Sequence, residues 1–190
     1  MTFKLKDIEK KLRFKIKKNT YCIGVDTASI TGLCIIETDK KNIKIKTSIF
    51  KLPTVKKTDE LSDKIVEKLE FMLRAIRDFK KQEFIHKKAS KTILVLENSY
   101  LGVNVVTFGI LRMLCGIIFA ELFDNFEEIK IIFPTHARKE VGFKSQLKRG
   151  CKREEKKKEI INWINNIFGT KETDDNICDA LILALNGLKE

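Results

Sequence analysis

The sequence predicts an α/β protein: a mixed five-stranded sheet flanked by helices, preceded by a basic N-terminal arm over residues 1–20 and continuing as one domain over 21–190. Three observations carry this expectation. Tyr21–Asp26 and Leu33–Ile36 are runs of β-formers around a short turn rich in small residues, which reads as an antiparallel hairpin. Thr92–Leu96 is a continuous apolar run, the mark of a strand covered on both faces. Between them, Leu61, Ile65, Leu69, Met72, Leu73, Ile76 and Phe79 recur every three or four residues, the spacing of a long amphipathic helix laid on a sheet.

The remaining elements follow in order. In the arm, Phe3, Leu5, Ile8 and Leu12 fit a short amphipathic helix better than a disordered tail. Ile43, Ile45, Thr47 and Ile49 alternate, so Asn42–Phe50 extends the hairpin by a third strand. Ile129–Phe133 is a fifth strand, stopped by Pro134. A short helix over Thr135–Val141 precedes a longer one over Arg153–Phe168, ended by Gly169. Thr173 is the expected cap of the last helix, whose sequence is almost wholly apolar from Ile177 to Leu185.

Leu101–Phe123 is apolar on every side and long enough to span a bilayer. Arg112 at its centre, where a charge costs about 2.5–3.5 kcal/mol, argues against that. A buried core helix, shared with a partner subunit or not, is the expectation, and no membrane association is expected. The first twenty residues lack the apolar stretch of a signal peptide. Five cysteines form no C-x-x-C pair, which points to free thiols in the reducing cytoplasm rather than to zinc.

The chain carries a net charge of +12, unevenly spread. Residues 1–20 hold eight basic and two acidic residues, and so do residues 144–158. The rest is close to neutral, so two discrete segments hold the excess. A run of charge is usually a solvated face. Two of them around a neutral body instead indicate a nucleic-acid footprint, with Lys144, Lys148, Arg149, Lys152, Arg153, Lys156, Lys157 and Lys158 as candidate DNA contacts.

Three carboxylates stand in apolar surroundings. Asp26 and Glu97 end two strands, and Asp179 is the only ionisable residue between Ile177 and Leu185. Asp26 could simply cap its turn. Several carboxylates buried together, however, are costly unless a cation neutralises them. If the two strands are parallel neighbours, both acids reach the sheet edge where open α/β sheets bind ligands. Asp175 lies one helical turn before Asp179 on the same face, although an acid in a first turn also suits the helix dipole. Oxygen-only ligands suit Mg²⁺, or Mn²⁺ in its place.

The segments IGVDTASITG, LVLENSYLGVN, FPTHARKEVG and DDNICDALILAL, in this order, resemble the RuvC-type Holliday-junction resolvases over roughly residues 21–187. That resemblance implies an RNase H-like fold, a homodimer, and metal-dependent endonuclease activity on four-way DNA junctions. It implies that Asp26, Glu97 and Asp179 are catalytic acids and that Tyr100 is an aromatic near the junction centre. Two metal ions would then clamp the scissile phosphate and leave 5′-phosphate and 3′-hydroxyl ends. The chain also departs from the family. Thr27-Ala28 replaces Pro-Gly after the first Asp, and Asn176 stands where the last Asp usually has an acid or His three residues earlier. Asp175 is therefore assigned as the fourth ligand. Lys156, Lys157 and Lys158 compete for the place of a basic residue that the family tends to carry before its penultimate helix. Other RNase H-fold nucleases acting on RNA–DNA hybrid or RNA, and a catalytically silent nucleic-acid-binding module, remain alternatives. An actin-like kinase is less suited, since it needs a second Gly-rich loop and this chain has nine scattered glycines.

Overall fold

The computed structural model describes residues 1–28, 30–53, 61–84, 91–98, 105–147 and 150–190. Its elements are β1 (Thr2–Lys4), α1 (Leu5–Leu12), β2 (Thr20–Asp26), β3 (Ile30–Thr38), β4 (Asn42–Lys51), α2 (Leu61–Phe84), β5 (Lys91–Glu97), α3 (Val105–Leu122), β6 (Glu128–Ile132), α4 (Pro134–Glu140), α5 (Arg153–Phe168) and α6 (Asp175–Leu188). A single sheet runs β1-β4-β3-β2-β5-β6. The β2–β5 and β5–β6 pairs are parallel and the others antiparallel.

Strand alternation divides the core into two layers. Tyr21, Ile23 and Val25 of β2 and Leu94 and Leu96 of β5 face α2 and α3, against Met72, Ile76, Leu114 and Ile118. Cys22 of β2 and Ile93 and Val95 of β5 face the other layer, made by α1, α5 and α6. Because side chains alternate along a strand, Asp26 and Glu97 fall on the α6 side. Two glycines let α6 lie flush on that side. A Cβ on Gly24 would stand 2.1 Å from the Ala180 carbonyl oxygen, and one on Gly32 2.1 Å from that of Asn176.

Three expectations need correction. Among the described residues the sheet has six strands, because Thr2, Phe3 and Lys4 pair with Lys44, Ile43 and Asn42 at its edge. Three residues are too short a run to show a period of two. The cap of α6 is Asp174, whose carboxylate accepts from the Asn176 and Ile177 backbone N–H groups, and not Thr173. Last, α3 is not a buried core helix. Leu114, Cys115, Ile118 and Leu122 are sealed against the sheet, while Val105 is 69% and Met113 41% exposed. Apolarity on every side does not distinguish a helix inside a core from one with an open apolar face. Residues 101–104 of the expected helix lie outside the described residues.

The N-terminal arm packs on the body. Leu5, Ile8, Leu12 and Ile16 are buried in the α5–α6 layer, and the Lys11 ammonium donates to the Asn166 and Ile167 carbonyl oxygens at 3.0 and 2.7 Å. The Lys17 N–H donates to the Leu188 carbonyl at 2.8 Å, tying the arm to the end of α6.

Candidate active site

At the C-terminal ends of the parallel strands β2 and β5, Val25 and Leu96 are register partners, so Asp26 and Glu97 emerge side by side. Asp26 is only 7% exposed and its carboxyl lies beside that of Glu97, close enough for the two to share a proton. Burial raises the Asp26 pKa well above the carboxylate range, and contact with Glu97 and the nearby Asp179 raises it further. Burial also raises Glu97, and the Asp179 charge adds to it. Two carboxyls in contact cannot both ionise cheaply, so the pair strongly favours a shared positive charge, proton or metal.

Helix α6 crosses above this pair. Asp179 is raised by burial and by Asp175, and held back by Arg138 of α4. The guanidinium grips Asp179 with both hands: Nη2 donates to Oδ1 and Oδ2 at 2.8 Å each, and Nε to Oδ1 at 3.2 Å. Asp175 pairs with Lys157 of α5 at 2.6 Å. Asn176 turns away from such a role, since its side-chain amide donates to Asp174 at 2.9 Å within the helix cap.

The structure thus brings Asp26, Glu97 and Asp179 within electrostatic reach of one another, with Asp175 beside Asp179. Among the described residues no three His, Cys, Asp or Glu side chains converge into a finished metal cage. The reason is visible in the pairing: Asp26 and Glu97 hold each other, while Arg138 and Lys157 hold the two α6 acids. The donor set nevertheless fits a hard divalent cation. It is made of carboxylate oxygens, and the raised acids are destabilised for want of positive charge. The Thr27 hydroxyl next to Asp26 is also buried without a hydrogen-bond partner.

The basic candidates divide. Lys157 sits in the site on Asp175, half-buried. Lys156 lines a 250 Å³ cavity with Arg138 and Thr135, next to the acids. Lys144, Lys152, Arg153 and Lys158 are exposed. All three of Lys156, Lys157 and Lys158 lie inside α5, not before it. Tyr100, Lys148 and Arg149 lie outside the described residues. Sequence reasoning missed Arg138. The tandem Arg138-Lys139 in a short polar helix looks like solvent-facing charge, and only its place within FPTHARKEVG hinted otherwise.

No protein-family model and no curated protein matches the sequence. Solved structures do match. Thermus thermophilus RuvC bound to a Holliday junction substrate superposes with a TM-score of 0.59 at 12% identity, covering 88% of this chain and 91% of that one. A second T. thermophilus RuvC structure gives 0.54 at 12%, over 87% and 92%. The yeast mitochondrial Holliday junction resolvase Ydc2 gives 0.54 at 10%, over 94% and 82%. The fold is RNase H-like, of the RuvC type. Within a RuvC-type fold, the acids described above occupy the ends of the central parallel strands and the start of the closing helix.

Proposed function

We propose that this protein is a structure-selective endonuclease that resolves four-way DNA junctions by metal-dependent phosphodiester hydrolysis. The observation that carries the reading is the Asp26–Glu97 contact at the ends of two parallel strands, with Asp179 delivered above it by α6. Such mutually destabilised acids, on a fold shared with junction resolvases, support a phosphate-cutting site better than a structural ion pair would.

Asp26, Glu97, Asp179 and Asp175 would hold Mg²⁺, with Mn²⁺ able to substitute. The bound cations supply Lewis acidity toward the scissile phosphate and a nucleophilic water at neutral pH. The protein does the rest. Asp26 and Glu97 are fixed by strands, so a cation would have only to replace the contact between their two carboxyls. Arg138 must release Asp179 for that carboxylate to turn toward a cation, and it is then free to face a phosphate oxygen. Lys157 stands in the same relation to Asp175. Hydrolysis leaves 5′-phosphate and 3′-hydroxyl ends. Lys144, Lys152, Arg153, Lys156 and Lys158 are proposed to contact the DNA backbone, as are Lys148 and Arg149, and Tyr100 to stack on an unpaired base at the crossover.

A homodimer is part of the proposal. Val105, Val106 and Met113 of α3 are exposed, as are Val66 and Phe71 of α2, the helix packed against it, and these apolar residues are proposed to meet a second copy of this chain. Two-fold pairing would present two sites to a junction of matching symmetry. All five cysteines are free, in keeping with a reducing cytoplasm. The deciding experiment compares Mg²⁺-dependent cleavage of a synthetic four-way junction, a linear duplex and an RNA–DNA hybrid. Paired, symmetric cuts in the junction alone support the reading. Equal cutting of all three, or preference for the hybrid, overturns it.

A further inference from the structure

The arm's apolar side is sealed into the core, which fixes its cations in place on the opposite side. Lys6, Lys10, Arg13, Lys15, Lys18 and Lys40 of the β3–β4 turn line one open groove of about 430 Å³. The single acid there, Glu9, is spoken for: it accepts from the Ile16 N–H at 3.0 Å and pairs with Lys15 at 3.8 Å. Among the described residues, Lys6, Lys10, Arg13, Lys18 and Lys40 make no ion pair, and all are exposed. Arg13 ends α1 in the left-handed region, at φ 61°, where glycine ordinarily stands. A cation sits at that bend in spite of the backbone cost.

The groove does not stand alone. Through Arg13 and Phe14 it continues into a second cavity of about 520 Å³, lined by Lys11, Lys144, Lys189 and Trp163, and by Glu140, whose carboxylate is held by His136 and Asn186. The loop after α4 separates that cavity from the one beside the acids: Gly142, Lys144 and Gln146 face the first, Phe143 and Ser145 the second, together with Arg138 and Lys156. A basic track therefore leads from the acidic edge to the far end of the sheet. Its length is set by β2, which starts at the arm with Thr20 and ends at Asp26. The six residue-to-residue steps of this seven-residue strand, about 3.3 Å each, span roughly 20 Å, or about six base pairs of B-DNA at 3.4 Å per step.

We propose that this track holds the sugar-phosphate backbone of one duplex arm of the substrate, and that the N-terminal groove grips it about six base pairs from the cut. The proposal rests on the nuclease reading for its register, while its binding chemistry is separate. Charge complementarity selects the ligand: exposed cations along a curved path, five of them in the N-terminal groove making no ion pair among the described residues, match a phosphate repeat and read no sequence.

The test uses the full chain and hairpin-capped four-way junctions with arms of about fifteen or about five base pairs, lengths chosen either side of the six-base-pair reach. Affinity is measured against salt in EDTA, and cleavage separately in Mg²⁺. The wild type is expected to show a steeper salt slope on long arms. Lys6→Gln/Lys10→Gln/Lys18→Gln should flatten it there by about two to three units, at 0.9 per phosphate, with the loss confined to long arms. Lys40→Gln, in an exposed turn, should remove about one unit and serves if the triple variant melts early. An unchanged slope on long arms overturns the track, and so does an equal loss on both arm lengths. A flattened slope in a protein that cuts no junction keeps the track and removes the nuclease reading.

Discussion

Two pairs of acids meet at one edge of the sheet, and the chain treats them differently. Asp26 and Glu97 come from neighbouring strands and are held against each other, and among the described residues no basic side chain is hydrogen-bonded to either. Asp175 and Asp179 come from a helix and are each clamped by a cation, Lys157 and Arg138. Strand ends in a buried sheet cannot move apart, so their charge must be answered by a proton or a metal. Side chains on a partly exposed helix can be met by long, mobile cations from α4 and α5. The strand pair is thus a permanent demand for positive charge, whereas the helix pair is answered in part, Asp179 staying raised by burial in spite of Arg138, and must be released from its cations.

The largest expected effect tests the demand. Asp26→Asn, Glu97→Gln and Asp179→Asn should each cut junction cleavage at least about a hundredfold, the scale on which removal of one charge-stabilising group acts. Junction binding should persist in gel-shift or anisotropy titrations. Near-wild-type turnover in any of the three would remove that residue from the ligand set.

Next in size is the choice of fourth ligand. Under limiting Mg²⁺, Asp175→Asn should lose roughly tenfold in cleavage rate, as metal-site partners typically do. Asn176→Ala should lose less, because Asn176 serves the helix cap. The reverse order would move the ligand to Asn176.

A smaller effect is expected at the clamp. Arg138→Gln frees Asp179, so half-maximal cleavage should need a few-fold less Mg²⁺, while the maximal rate falls with the loss of a phosphate-facing cation. A higher Mg²⁺ requirement would mean that Arg138 positions Asp179 rather than competing for it.

The smallest effect is on stability without metal. Asp26 and Glu97 have folded-state pKa values above their unfolded ones. Their contribution is therefore fully present below the usual carboxylate range and is lost as pH rises through the raised values. In EDTA, urea midpoints should fall as pH climbs above that range. Mg²⁺ should restore the loss. Asp26→Asn should show a shallower fall, because burial still raises Glu97 and Asp179; a wild type flat over the same range would mean the strand acids are not strained.

Some of this was legible in the chain. An acid closing an apolar run is a costly placement, and that cost is local, so Asp26, Glu97 and Asp179 stand out from their sequence neighbours alone. The central strands are equally plain, because burial on both faces writes itself as uninterrupted Ile, Val and Leu. The strand β1 is too short to carry a period. The clamp at Arg138 was hidden because a guanidinium's partner, forty-one residues away in Asp179, leaves no mark on its neighbours in sequence. The open face of α3 was hidden for the opposite reason: an all-apolar helix satisfies a core and an interface equally well.

What the sequence by itself determined is the list of strands and helices apart from β1, and the acids that stand in costly places, since both follow from side-chain chemistry within a few residues. Which acids face each other was decided only by the tertiary structure. Strand alternation puts Asp26 and Glu97 on one face, and Gly24 and Gly32 let α6 settle against it. The cations that answer Asp175 and Asp179 arrive from helices placed by that same packing.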